Sequence, residues 1–409
     1  MNVADSNSVE AAFLRRGFLL ARTPECADLI IVNTCSVREH AEQRAKARIT
    51  EFCRIRKPGA GIWVIGCMAE RLGEELRREI PGIDRVVGAR SIDRIEEFID
   101  LEYSGCTVEP AEQAWNKGVC DFVTVIRGCD NYCAYCIVPY VRGHEQSISK
   151  ETIIDEIGRK AERGVKEITL LGQNVNSYID NGMDFADLLA EAAQVNGIER
   201  IRFTTSHPKD CSEKLIRTIA SEPKCCHHIH LPFQAGSDAI LRSMKRGYTS
   251  GHYRERIAMI RSYLPDADIT TDIMVGFPGE TDKMFDDTLA LVDEVRFTTA
   301  FMFAYSVREG TVAAKLTDTV SHADKQARLR RLIDLQTAVT KEIYAGMRGR
   351  TVELLISGRQ EKRQKMWMGL DRGCKRALIA CDDMQAGTIL QADVLETSGM
   401  TLICKRTHQ

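Results

Sequence analysis

Between residues 119 and 346 the chain alternates short apolar runs with helical patterns, and this alternation constrains the fold more than any other feature. The runs are Phe122–Ile126, Glu167–Leu171, Arg200–Thr204, His227–Leu231, Ile269–Val275 and Ala300–Tyr305. Helical patterns follow over 150–163, 184–195, 212–221, 236–245, 251–263 and 281–294. Repeated βα units return to one sheet through right-handed crossovers, so the strands are parallel. Six units stop short of the eight of a closed barrel, which predicts an incomplete (β/α)6 barrel. Ligands gather at the carboxyl ends of such strands. The polar residues there are Gln173, Asn174 and Asn176, Ser206 and His207, Gln234, Gly276 and Tyr305. Asn, Ser and Gly also make ordinary turns, so the set carries more weight than any single member.

The segment ahead of this region is also α/β. Leu29–Val32, Ile62–Ile65 and Arg85–Val87 read as strands of a parallel sheet, with helices over Val37–Arg56 and Glu70–Arg78. Cys35 and Cys67 each fall just past the carboxyl end of a strand, the edge where open α/β sheets bind ligands. The stretch 105–118 is polar and aperiodic and reads as a linker. After a helix near 323–347, Val352–Ile356, Arg376–Ala380 and Gln391–Leu395 read as strands of a small β-barrel. The expected domains are 1–107, 116–346 and 347–409, a division that 409 residues allow at roughly 150 per domain.

The whole chain is nearly neutral, with 56 Lys and Arg against 58 Asp and Glu, so a polyanion site has to be local. From Lys341 onward, 12 Lys and Arg stand against 8 Asp and Glu, and a basic small β-barrel is a common nucleic-acid module. A solvated face would look the same. No apolar run is long enough to cross a membrane. The opening residues carry neither a basic region nor an apolar core, so no signal peptide is expected and the predicted location is cytoplasmic.

Fifteen cysteines in such a chain do not read as a disulfide framework. Ten are expected to be small apolar packing residues: Cys26, Cys53, Cys106, Cys120, Cys211, Cys225, Cys226, Cys374, Cys381 and Cys404. Cys129, Cys133 and Cys136 are different, because they fall at the spacing C-x3-C-x2-C. At this chain's cysteine frequency that spacing arises by chance roughly 0.02 times. A structural zinc site takes four ligands, and only His144 lies near enough in sequence to be the fourth. A [4Fe–4S] cluster takes thiolates, and three would leave one iron open to a substrate or cofactor.

The motif, with Tyr135 before its last cysteine, resembles the signature of radical S-adenosylmethionine (radical SAM) enzymes. Further stretches resemble the methylthiotransferase family and, within it, the tRNA-modifying branch. They are Asn33–Ala41, Leu171–Tyr178, Thr205–Pro208, Leu231–Ser237 and Asp272–Thr281, in the family's order along essentially the whole chain. The resemblance implies two [4Fe–4S] clusters and SAM as cofactors. It implies replacement of the C2 hydrogen of N6-dimethylallyladenosine, beside a tRNA anticodon, with a methylthio group. One SAM would methylate a sulfur on the second cluster, and another would supply the radical that abstracts the hydrogen. C2 carries no acidic proton, so a radical suits the task where a general base does not. Cys129, Cys133 and Cys136 would hold the radical cluster. Cys35 and Cys67 match the second and third ligands of the other cluster. The family's first ligand falls just ahead of the stretch that is Met1–Ser6 here, and the expectation is a chain started at an internal Met.

Tyr135 is then expected near the adenine, with Arg142, Glu145, Gln173, Asn174, Ser206 and Gln234 around SAM or the clusters. The C-terminal barrel resembles a TRAM domain, an RNA-binding module. Arg348, Arg350, Arg359, Lys362, Arg363, Lys365, Arg372, Lys375 and Arg376 are the expected phosphate contacts. Trp367 is expected in the core, with base stacking as the other reading. The implied partners are the tRNA anticodon loop and a flavodoxin-type electron donor, with no membrane and a monomeric state. Three other readings remain at this point. One is methylthiolation of a threonylcarbamoyl-adenosine tRNA or of a ribosomal protein. Another is a truncated chain that cleaves SAM without inserting sulfur. The third is an RNA-binding protein with a purely structural metal site.

Overall fold

The computed structural model describes residues 1–36, 39–103, 118–360 and 366–407. Val37 and Arg38, the linker residues 105–117 with Cys106, and Lys362, Arg363 and Lys365 lie outside the described residues. The chain divides into two compact units. The first comprises Met1–Asn116, Arg127–Gln146 and Arg308–Ala314; the second comprises Lys117–Ile126, Ser147–Val307 and Lys315–Gln409.

In the first unit β1 (Leu29–Thr34), β2 (Gly61–Gly66) and β3 (Arg85–Gly88) pair in parallel and in sequence order. The central strand is apolar throughout because both of its faces are covered. Trp63 and Ile65 pack with Phe13, Ile99 and Ile137 on one side, and Ile62 and Val64 with Ile49 and Leu76 on the other. Helix α1 (Asn2–Arg15), which the sequence pattern did not suggest, covers the first face with Val9, Ala12 and Phe13. These lie at i, i+3 and i+4, and the Phe13 and Trp63 rings meet at 5.7 Å. Burying a side chain as large as Phe13 contributes about 1.5–3 kcal/mol. Helix α2 (Glu39–Ile55) falls where expected. The helix expected over Glu70–Arg78 is instead two, α3 (Cys67–Leu72) and α4 (Glu74–Glu79). Gly73 separates them at φ 49°, a left-handed conformation that ends a helix at little cost only for glycine.

The second unit carries the six expected parallel strands. They are β4 (Cys120–Thr124), β5 (Glu167–Leu171), β6 (Arg200–Thr204), β7 (His228–His230), β8 (Asp268–Val275) and β9 (Thr299–Ala304). The first three form one ladder and the last three another. Ile201 joins them, donating to Lys224 O at 2.8 Å and accepting from Cys226 N at 2.9 Å. The order is sequential, as right-handed βα units require. Five of the following helices begin on a side-chain cap, at Ser149, Asp184, Ser212, Thr249 and Thr281. Each cap is worth about 1 kcal/mol.

Residues beyond 350 form a closed five-stranded barrel. Its strands are β10 (Thr351–Arg359), β11 (Met366–Asp371), β12 (Arg376–Ala380), β13 (Ile389–Thr397) and β14 (Thr401–Arg406), in the order β10-β11-β12-β14-β13. Leu354, Ile356, Ala377, Ile379, Ala392 and Leu402 fill it. Closure leaves no unpaired strand edge. Strands β11 and β14 were not anticipated. Trp367 belongs to this core, and its indole N–H donates to Cys381 O at 3.1 Å.

The amino ends of the parallel strands are tied to this barrel by buried charge. Arg200 bonds Glu353 at 2.8 Å and Leu370 O at 2.9 Å. Arg202 bonds Glu167 at 2.8 Å, Asp371 O at 2.6 Å and Arg372 O at 2.7 Å. Lys375 pairs with Asp268, and Arg372 donates to Pro223 O and Cys225 O, each at 2.6 Å. This corrects two expectations. Lys375 is buried, and Arg372, with its side chain 29% exposed, spends its guanidinium on main-chain carbonyls and Glu353 rather than presenting it to RNA.

Candidate iron–sulfur and cofactor sites

In the first unit the three motif cysteines lie on one loop, Cys129 and Cys133 buried and Cys136 half-buried. The backbone makes this loop. Gly128 has φ 75°, and a Cβ there would lie 2.0 Å from His144 O, so only glycine permits the chain segments to cross. Cys129 N donates to Gly143 O at 3.2 Å, and Cys136 N to Cys133 O at 2.9 Å. Asp130 and Glu145 clasp the ends: Asp130 N donates to Glu145 Oε1 at 3.3 Å, and Glu145 N to Asp130 Oδ2 at 3.2 Å. Glu145 therefore helps hold the loop closed. Asn131 donates to the Cys129 sulfur at 3.4 Å. Burial pushes the Cys129 thiol above the usual range, so it becomes a thiolate ligand only against a compensating positive charge. An all-thiol donor set on one short loop fits three corners of a [4Fe–4S] cluster. Tyr135 is half-buried on the same loop.

Cys35 and Cys67 follow the paired residues Thr34 and Gly66, so adjacent parallel strands present them side by side. Gly66 is at φ 97°, and a Cβ would meet Thr34 O and Asn33 Oδ1 at 2.5 Å each. Glycine is thus required for the turn that starts α3 on Cys67. Burial raises the Cys67 thiol, and the Arg142 guanidinium against it pulls in the other direction. Arg142 is also bound to the buried carboxylate of Asp5 at 2.7 Å, which Arg127 reaches at 3.1 Å. Arg142, expected to touch a cofactor, is thereby committed to Asp5 and Cys67. The two thiols fit two ligands of a second cluster, and their cationic surroundings suit thiolates.

The sequence reasoning missed a second charged group near Cys35. Glu42 is buried on α2 and accepts from Ser36 Oγ at 2.5 Å and from Arg71 at 2.7 and 3.1 Å. Arg308 approaches the same carboxylate at 4.0 Å with its side chain 12% exposed. Its Nε and Nη2 are buried without a hydrogen-bond partner. Only the three-dimensional fold places Arg308 here, because it lies more than 270 residues from Cys35 in sequence.

In the second unit, polar groups stand at the carboxyl ends of the parallel strands. Asn174 is buried; its Nδ2 donates to Asp210 at 2.8 Å and its Oδ1 has no partner. Gln173 Oε1 is likewise buried and unpartnered. His207, one of the polar residues expected at the strand ends, is held firmly. Its backbone is gripped at both ends by Asn176, at 2.9 and 3.1 Å. Its Nδ1 accepts from Lys209 N at 3.3 Å, so the proton sits on Nε2, which is buried with no partner. Burial and the nearby Arg246 push the imidazole down to about 2, so it is neutral at any working pH. Ser206 donates to His230 O on the next strand. Gln234, at φ 67°, bridges to β8 through its backbone, bonding Asp272 O and Met274 N at 2.9 Å each. The turn after β8 is clamped by Glu280, which accepts from Gly276 N at 2.6 Å and from Arg328 at 3.0 Å. On the C-terminal barrel Arg348, Arg350, Arg359 and Arg376 are exposed, as are Lys405 and Arg406.

Of the remaining cysteines, Cys211, Cys225, Cys226 and Cys404 are buried as expected of apolar packing. Cys26, Cys120 and Cys374 are exposed, contrary to that expectation.

An incomplete parallel barrel and a C-x3-C-x2-C loop after its first strand define a radical SAM enzyme. The model of the Radical SAM superfamily matches residues 123–292, and that of Uncharacterized protein family UPF0004 matches residues 1–88. The tRNA-2-methylthio-N6-dimethylallyladenosine synthase of Syntrophus aciditrophicus is 44% identical over 376 residues, covering 88% of this chain and 82% of the relative. The synthase of the same name from Geobacter sulfurreducens is 42% identical over 416 residues, covering 97% and 93%. The chain belongs to this family of tRNA-2-methylthio-N6-dimethylallyladenosine synthases. Among solved structures, the radical S-adenosylmethionine methyltransferase TsrM from Kitasatospora setae shares the fold at a TM-score of 0.53 and 15% identity. That match covers 70% of this chain and 66% of the other.

Proposed function

We propose that this chain is a tRNA methylthiotransferase that converts N6-dimethylallyladenosine beside the anticodon into its 2-methylthio derivative. The observation that carries the reading is the preformed three-thiol loop, held by Gly128 and by the Asp130–Glu145 clasp, in a chain of this family. Cys129, Cys133 and Cys136 hold the radical cluster, and Cys35 and Cys67 supply two ligands of the second. Bound clusters and SAM supply a methyl donor, a sulfur site and a radical able to take the C2 hydrogen.

The protein's own residues bind and orient. Gln173, Asn174 and His207 offer two acceptors and one donor, a combination that suits the edges of adenine or a ribose. Tyr135 offers a ring for stacking on adenine. The base must leave the anticodon stack before any of these groups can reach it. Arg348, Arg350, Arg359 and Arg376, with Lys362, Arg363 and Lys365, bind RNA phosphates and set affinity rather than base choice. The chain works as a cytoplasmic monomer with a flavodoxin-type reductant. No helix among the described residues is long and apolar enough to cross a membrane.

The test is nucleoside analysis of tRNA after incubation with reconstituted protein, SAM and a reductant. The 2-methylthio prenylated nucleoside is the expected product. Reaction only on threonylcarbamoyl-adenosine tRNA would move the substrate to the sister enzyme. Release of 5′-deoxyadenosine with no thiolated nucleoside would mean SAM cleavage without sulfur insertion.

A further inference from the structure

Arginine guanidinium groups are rarely buried unless all their donors are used, because each unmet N–H in a low-dielectric site is costly. Arg308 breaks that rule. Its Nη1 end faces Glu42 at 4.0 Å, but that carboxylate already takes two bonds from Arg71 and one from Ser36. Its Nε and Nη2, the pair that makes a bidentate fork, are buried and bond nothing among the described residues. Ser36 follows Cys35 directly, so the Ser36–Glu42–Arg71 bonds fix the acidic side of Arg308 against the residue next to that thiol. The fork is preorganised and desolvated, and nothing among the described residues bonds it.

We propose that Arg308 is the anion-binding arm of the Cys35 site and holds a small sulfur anion, hydrosulfide or its methylated form methanethiolate, beside the second cluster. This rests on the methylthiotransferase reading, which requires such a sulfur species in this unit. Limited access favours a small anion over a bulky one, because the Arg308 side chain is only 12% exposed. Arg308 is a positioning residue: it sets where the sulfur lies and leaves cluster assembly and SAM cleavage to the cysteines.

The experiment titrates sodium methanethiolate into the anaerobically reconstituted full chain and follows the electron paramagnetic resonance of the reduced clusters. Wild type, Arg308→Gln and Arg308→Lys are compared, with iron, sulfide and 5′-deoxyadenosine release measured on the same samples. The expected result is a tenfold or greater loss of methanethiolate affinity in Arg308→Gln and partial recovery in Arg308→Lys. Iron content and 5′-deoxyadenosine release should stay at wild-type levels. Unchanged affinity overturns the proposal. A weaker affinity for SAM in place of methanethiolate also overturns it and makes the SAM carboxylate the occupant. Iron loss in both variants overturns it in favour of a structural role. If wild type binds methanethiolate and depends on Arg308 but forms no methylthio nucleoside, the proposal stands and the substrate reading fails.

Discussion

Two groups of buried arginines in this chain have opposite characters. At the amino ends of the parallel strands, Arg200 and Arg202 are almost fully buried and almost fully bonded, to Glu353, Glu167 and four main-chain carbonyls. Beside Cys35, Arg308 is less deeply buried, its side chain 12% exposed, and three of its five N–H donors have no partner among the described residues. The first pattern is what ties the parallel strands to the small barrel, because a charge taken out of water must be repaid by bonds to fixed partners. The second is what a ligand site looks like before its ligand arrives. The difference separates structural charge from functional charge without reference to any relative.

Substitutions should sharpen this contrast. The largest effect belongs to neither arginine group. Cys133→Ala removes one corner of the radical cluster, and 5′-deoxyadenosine release should fall to background while circular dichroism stays native. Next, Arg202→Met should destabilise the second unit by about 3–5 kcal/mol, because it strands Glu167 and two carbonyls in the interior. Urea unfolding would measure it, and a loss under about 1 kcal/mol would show that the network is dispensable.

A smaller effect comes with pH. Burial holds His207 at about 2 and His228 at about 3, against an ordinary value of 6.5. The unfolded chain therefore binds more protons between those limits. Stability should be constant above pH 6.5 and should fall as pH drops below it, by about 1.4 kcal/mol per pH unit for each group. His207→Gln should make that fall shallower in acid unfolding curves, and an unchanged slope would contradict the buried neutral imidazole. The smallest expected effect completes the comparison. Arg308→Met should leave the melting temperature unchanged or raise it slightly, since it removes an underbonded charge and leaves the Arg71–Glu42 pair intact. A loss as large as that of Arg202→Met would place Arg308 among the structural arginines.

Much of the architecture was legible in the sequence, for reasons that differ between regions. Glu167–Leu171, Arg200–Thr204 and Arg376–Ala380 are strands with the expected boundaries. The first two are short strand-like segments between helical patterns, Arg200–Thr204 alternating polar and apolar residues. Helix α1 escaped notice because its buried set includes Asp5, a polar residue that pairs with Arg127 and Arg142 far along the chain. Strands β11 and β14 escaped because Met366–Asp371 and Thr401–Arg406 are held by barrel closure and carry little alternation of their own. The cysteine loop was legible because its ligands are close in sequence and the spacing is improbable by chance. Arg372 and Lys375 misled, since composition counts a charge without saying which way it faces.

The sequence by itself determined the parallel βα order, the small β-barrel after it, the three-thiol loop and the pairing of Cys35 with Cys67 at strand ends. These are local patterns, fixed by backbone periodicity and by ligand spacing. Tertiary structure alone decided the fate of the charged residues. It buried Lys375 against Asp268, turned Glu145 into a clasp for the loop, set Arg142 against Cys67 and left the fork of Arg308 open beside Cys35. A charge has no period along the chain, and its role depends on partners that only the fold brings within hydrogen-bonding distance.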